Sequence, residues 1–114
     1  MATQAVTTQT FDKTITDNTL VFVDFWATWC GPCRAFGPIF EKASEANPDI
    51  VFAKVDIDAN QELASAADIR AVPTLIVAKQ GQIVFKQAGA LRSSDLDDLI
   101  DQARKLDVTA AAKE

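Results

Sequence analysis

Histidine and tyrosine are absent from this chain, and cysteine occurs only twice, at Cys30 and Cys33. A structural zinc site normally takes four protein ligands, so two of them would have to come from carboxylates or a second chain. No metal is expected. Two cysteines cannot build a multi-bridge disulfide framework, and a chain of 114 residues buries enough surface to fold without one. The missing tyrosine carries no functional consequence.

Other absences narrow the class further. The stretch Met1–Phe11 has neither the positive segment nor the apolar core of a secretory signal, and the longest apolar run, Leu20 to Trp29, is interrupted by Asp24 and too short to span a bilayer. A cytoplasmic setting is the expectation, although a trimmed precursor would read the same. Basic residues number 11 against 16 acidic ones, a net charge of −5 that disfavours nucleic acid and anionic membranes as partners. Apolar residues at 48% and charged residues at 24% are ordinary for a globular protein. No repeat or long linker divides the chain, so residues 1–114 read as one domain, monomeric, with a frayed tail from 109 to 114.

What is present has a regular order. Gln4–Val6 is a candidate short strand, and Phe11 and Ile15, four apart, fall on one face of a helix that Thr8 or Thr10 caps and Asp17 and Asn18 end. LVFVDFW, Leu20–Trp26, is branched and aromatic with little alternation, which suits a strand covered on both faces. From Cys33, the spacing of Phe36, Ile39, Phe40 and Ala43 gives a helix to about Ala46, with Pro38 inside it as a kink. Ile50–Val55 is a second central strand and Gln61–Ala67 a short helix. Thr74–Ala78 and Gln82–Lys86 flank a tight turn at Lys79, Gln80 and Gly81 and form an antiparallel pair. Ser93 or Ser94 caps a last helix with Leu96, Leu99, Ile100 and Ala103 inward. Strands separated by helices run parallel and the late pair antiparallel, which makes an α/β fold with a mixed sheet and helices on both faces.

Cys30, Gly31, Pro32 and Cys33 follow a central strand, where open α/β sheets place their chemistry. Two thiols at this spacing can close a ring reversibly and exchange two electrons. The attacking species is the thiolate, and an unperturbed thiol of pKa about 8.5 is only about 3% ionised at pH 7. Half ionisation takes roughly 2 kcal/mol. A helix N-terminus contributes about 0.3 to 1 kcal/mol, up to about 2 in protected sites, and a hydrogen bond from the second thiol is the natural supplement. Cys30 is therefore the exposed nucleophile and Cys33 the buried resolving thiol. Pro32 suits a first helical turn whatever the chemistry, and the uncharged Gly31–Pro32 pair leans toward a reductant.

Asp24 breaks an apolar strand, where burial raises the pKa of a carboxyl; it is a candidate base for Cys33, or else an acid at a strand edge or paired to Lys54. Lys54 interrupts the next strand and can tune Asp24. Asp56 and Asp58 read as a solvated strand end. Val72, Pro73 and Thr74 mark a special turn whose isomer the sequence does not assign. Of Trp26 and Trp29, one is expected to be exposed for docking.

With WCGPC at 29–33, Asp24 upstream, Ala71–Thr74 as a proline loop, and Gly81 and Gly89 downstream, the chain from about residue 3 to Leu106 resembles the thioredoxin family. The resemblance implies a five-stranded sheet of order 1-3-2-4-5 flanked by four helices, a cis Pro73 beside the dithiol, and a Val72 backbone that pairs with substrate. It implies a docking surface of Trp29, Gly31, Pro32, Ile57, Ala71, Val72, Gly89 and Ala90. It further implies reduction of client disulfides through a redox-active Cys30–Cys33 disulfide, with electrons from NADPH through a flavoprotein thioredoxin reductase and no bound cofactor. Arg34, Ala71, Ala78 and Ala88 depart from common family residues without touching that chemistry. A disulfide oxidant or isomerase and a redox-independent binding subunit are the alternative functions.

Overall fold

Burial of both faces of one strand organises the fold. In the computed structural model, which describes residues 2–108, β2 (Leu20–Trp26) is buried along all but its last residue. The tail expected at 109–114 lies outside the described residues. Around β2 the elements run β1 (Thr3–Ala5), α1 (Phe11–Asp17), β2, α2 (Gly31–Ala46), β3 (Val51–Asp56), α3 (Gln61–Ala66), β4 (Thr74–Lys79), β5 (Gln82–Ala88) and α4 (Ser93–Lys105). They form a five-stranded sheet of order β1-β3-β2-β4-β5. β3 pairs parallel with β1 and β2, while β4 runs antiparallel to both β2 and β5. This is the expected mixed sheet.

Alternation along β2 sends its side chains into two cores. Leu20 and Phe22 join Phe52, Leu75 and Val77 beneath Phe36, Phe40 and Ala43 of α2 and Leu96, Ile100 and Ala103 of α4. Four phenylalanines stack through this core, with ring centroids 5.4 Å apart for Phe22–Phe52, 5.2 Å for Phe40–Phe52 and 5.7 Å for Phe36–Phe40. Burying each contributes about 1.5 to 3 kcal/mol. Val21, Val23 and Phe25 face the other way, toward Ile15 of α1 and Leu63 of α3. Position 24 lies on the α2 side of β2.

The β4–β5 turn places both Gln80 (φ 52) and Gly81 (φ 78) in the left-handed region, the conformation a two-residue hairpin loop requires. α2 is continuous through Pro38. Two capping expectations are corrected. Thr10 occupies the N-cap of α1, but its hydroxyl accepts a hydrogen bond from the Thr7 amide, upstream of the helix, at 3.0 Å. Ser93 is already the first residue of α4, whose N-cap is Arg92. α2 also begins at Gly31, two residues before the apolar spacing starts, because Gly31 and Pro32 form its first turn. Among the described residues no helix is long and apolar enough to cross a membrane.

Candidate active site

β2 ends at Trp26, and the chain turns through Ala27, Thr28 and Trp29 before entering α2 with Cys30 as its N-cap. At that position the backbone is extended and the first amides of the helix lack intrahelical acceptors. The Cys33 amide donates to the Cys30 sulfur at 3.1 Å, so the sulfur takes the place a serine or aspartate oxygen has in an ordinary cap. Cys30 and Cys33 form a disulfide, with Cα atoms 5.3 Å apart. The Cys30 sulfur also lies 3.5 Å from the Val72 carbonyl oxygen. One expectation is corrected here: Cys30 is not the exposed member of the pair. Both cysteines are buried, at 4% and 6% exposure, because Ala27 packs with them and Trp26, Ile57 and Val72 close around them. Only Gly31 and Pro32 between them face solvent.

The Val72–Pro73 peptide bond is cis, as the resemblance implies. Pro73 is buried at the head of β4, its carbonyl accepts from the Gly89 amide at 2.8 Å, and the Thr74 hydroxyl donates to the Ala71 carbonyl at 2.6 Å. Gly89 has φ 102, which only glycine adopts easily, and this lets the end of β5 fold back onto the proline loop. Val72, Pro73 and Gly89 are thus held together, with Val72 against the Cys30 sulfur. Ala71 and Ala90 are exposed neighbours, and Ile57 is half-buried with its amide bonded to the Trp26 carbonyl at 3.0 Å. Trp29 is the exposed tryptophan, at 64%.

Asp24 is 1% exposed, and neither carboxylate oxygen has a hydrogen-bond partner among the described residues. Burial raises its pKa from 3.8 to about 7, with the Lys54 charge pulling the other way. It is not at a strand edge, since β2 is the central strand, and it makes no close ion pair with Lys54, although the two stand opposite in register. The Lys54 ammonium instead lies 5.1 Å from the centre of the Trp26 ring. A cleft of about 320 Å³ opens beside it, lined by Trp26, Ala27, Thr28, Cys33, Arg34, Gly37 and Lys54. Solvent therefore reaches the flank of Cys33 from the side where Lys54 sits. Arg34 donates to the Thr28 carbonyl at 3.1 Å across this cleft.

Sequence reasoning missed Asp58, whose carboxylate accepts the Trp29 indole N–H at 2.9 Å. Asp56 in turn accepts from the Asp58 amide at 2.9 Å, so the strand end expected to be merely solvated is a built turn. The partners are 29 residues apart, and no local pattern announces them.

Comparison with known proteins agrees with this geometry. The family model described as Thioredoxin matches residues 2–102. A Streptomyces coelicolor protein provisionally named thioredoxin 2 is 53% identical over 112 residues, covering 98% of this chain and 84% of its own. Thioredoxin-1 of Saccharomyces cerevisiae is 44% identical over 90 residues, covering 79% of this chain and 87% of that one. The solved structure of a mutant thioredoxin from Halobacterium salinarum superposes with a TM-score of 0.84 at 40% identity, covering 91% of this chain and 92% of that one. With its sheet order, its disulfide at the entry of α2 and these relatives, the chain belongs to the thioredoxin family, a family of thiol-disulfide oxidoreductases.

Proposed function

We propose that this protein reduces disulfides of client proteins, with Cys30 as the attacking thiol and Cys33 as the resolving one. The observation that carries the assignment is the N-cap geometry: the Cys33 amide already donates to the Cys30 sulfur, and a helix N-terminus stabilises an anion placed there. In the dithiol form the Cys30 thiolate attacks one client sulfur, a mixed disulfide forms, and the other client sulfur leaves as a thiolate that takes a proton. Cys33, deprotonated toward Asp24, then attacks the Cys30 sulfur, which restores the Cys30–Cys33 disulfide and releases the second client thiol. Each turn reduces one client disulfide and oxidises one dithiol.

Asp24 fits the base because its pKa of about 7 lets it hold or release a proton near neutrality. Lys54, across from it in register, favours the ionised carboxylate. The Val72 carbonyl flanks the Cys30 sulfur, with the cis bond to Pro73 following it, and an extended client segment can pair there with the Val72 backbone. Trp29, Gly31, Pro32, Ile57, Ala71, Gly89 and Ala90 surround that point and form the client-docking surface. Because Cys30 is covered on its inner side, the client sulfur approaches across Gly31, Pro32 and the Val72 loop. Electrons return from NADPH through a flavoprotein thioredoxin reductase, and the setting is cytoplasmic.

Insulin reduction driven by NADPH and a thioredoxin reductase tests the reading. Turnover that requires both cysteines is expected. A protein that reduces insulin neither with the reductase nor with dithiothreitol is not a disulfide reductant; activity with dithiothreitol alone would remove the reductase and keep the chemistry.

A further inference from the structure

Lys86 projects from β5 on the α3 side of the sheet, opposite Ile76 in register. Its ammonium donates to two carbonyls at the end of α3, Ala67 at 2.8 Å and Asp68 at 2.8 Å. From there the chain takes five residues to reach Pro73. It leaves α3 through Asp68, whose φ of 55 turns it out of the helix, and Asp68 pairs with Arg70 at 2.9 Å. Ile69 packs this loop against the core on the α3 side of the sheet, while its outer residues face β5. A groove of about 400 Å³ lies between them, lined by Asp68, Arg70, Ala71, Thr74, Lys86 and Ala88. Two tethers bridge it at opposite ends: Lys86 at Ala67 and Asp68, and the Gly89 amide at the Pro73 carbonyl.

We propose that Lys86 is a positioning residue for client docking: by tying β5 to the end of α3 it fixes where the Val72 backbone stands beside Cys30. The inference rests on the proposed use of Val72 in pairing with a client. Lysine suits the task, since its stem crosses the open groove and its charge meets two carbonyls just past the last residue of α3 that take no backbone amide among the described residues. The bond to Asp68 lies past the left-handed turn, so it constrains the loop as well as the helix.

The test compares Lys86→Met and Lys86→Arg with the unaltered protein in their reduced forms, mixed with insulin and with the small disulfide 5,5′-dithiobis(2-nitrobenzoate). Lys86→Met should slow insulin reduction about fivefold, the rate equivalent of one net hydrogen bond of about 1 kcal/mol. Its reaction with the small disulfide should be unchanged, because no backbone pairing is needed, and Lys86→Arg should restore most of the insulin rate. The deficit should persist in about 0.5 M salt, where charge steering is screened. Amide exchange at Asp68 and Ile69, now protected by bonds to the Ser65 and Ala64 carbonyls, should quicken in Lys86→Met. That readout needs no client, so it separates failure of this inference from failure of the functional reading. An unchanged insulin rate, equal loss on both disulfides, a deficit erased by salt or unchanged exchange would each overturn it.

Discussion

A carboxyl as dry as that of Asp24 leaves a signature in stability as well as in rate. Its pKa is 3.8 when exposed and about 7 in the fold, so between those values the native state binds more protons than the unfolded one. Stability therefore falls as pH climbs from about 4 to about 7 and levels off above that range. Asp24→Asn removes the cost of ionisation, and urea denaturation of the oxidised protein at pH 8 should show it more stable, by at most about 4 kcal/mol, with the slope between pH 4 and 7 flattened. A variant no more stable than the parent at pH 8 would contradict the buried-acid account. In the reduced protein the same substitution should slow release of the mixed disulfide near neutrality and abolish the rise in that rate through pH 7, followed by quenched-flow trapping. Asp24 was legible in the sequence because an acid inside LVFVDFW has few innocent explanations. Asp58 was not, since an aspartate at a strand end is ordinary until the Trp29 indole is placed against it. The burial of Cys30 was hidden for the same reason: Ile57 and Val72, which cover it, arrive from β3 and the β4 loop.

Among the elements, the β4–β5 hairpin does more than extend the sheet. Lys79 reads locally as part of a turn, yet it closes β4, is 9% exposed and donates to the carbonyls of Ala103, Arg104 and Leu106 at 2.7, 2.9 and 2.8 Å. Its three protons thus satisfy the end of α4, as Lys86 does for α3 on the other side of the sheet. Lys79→Met, close in shape but unable to donate, should cost about 2 kcal/mol by urea denaturation, since it takes a charged donor from one buried and two part-buried hydrogen bonds. A loss within about 0.5 kcal/mol would mean that water replaces the lysine freely. Helix α2 predicts a gain. A Cβ on Gly37 would meet only the Lys54 nitrogen, at 3.9 Å, an ordinary contact. Gly37→Ala should therefore raise stability by up to about 1 kcal/mol through helix propensity, seen as a higher melting temperature. Element types and order were readable from periodicity and turn residues. The caps at Thr10 and Ser93 were less so, because a serine or threonine near a helix start does not reveal whether its hydroxyl faces the helix or the loop before it.

At the scale of the whole molecule, three chain segments distant in sequence meet at one end of the sheet. β2 delivers the cysteines to the start of α2, β3 sets Lys54 beside Asp24, and the antiparallel β4 brings Pro73 to the same end because its first residue pairs with Phe25 near the end of β2. The sequence implied a mixed sheet through its helix-separated early strands and tight late turn; the strand order itself came from the resemblance carried by WCGPC and the proline loop. The division of labour between the two cysteines is the central claim, and trapping tests it most directly. Cys33→Ser and Cys30→Ser forms, each mixed with a disulfide-bonded client and resolved by mass spectrometry under non-reducing conditions, should differ sharply. The account predicts a stable mixed disulfide through Cys30 in Cys33→Ser and none in Cys30→Ser; capture by Cys30→Ser alone would contradict it and reverse the two roles.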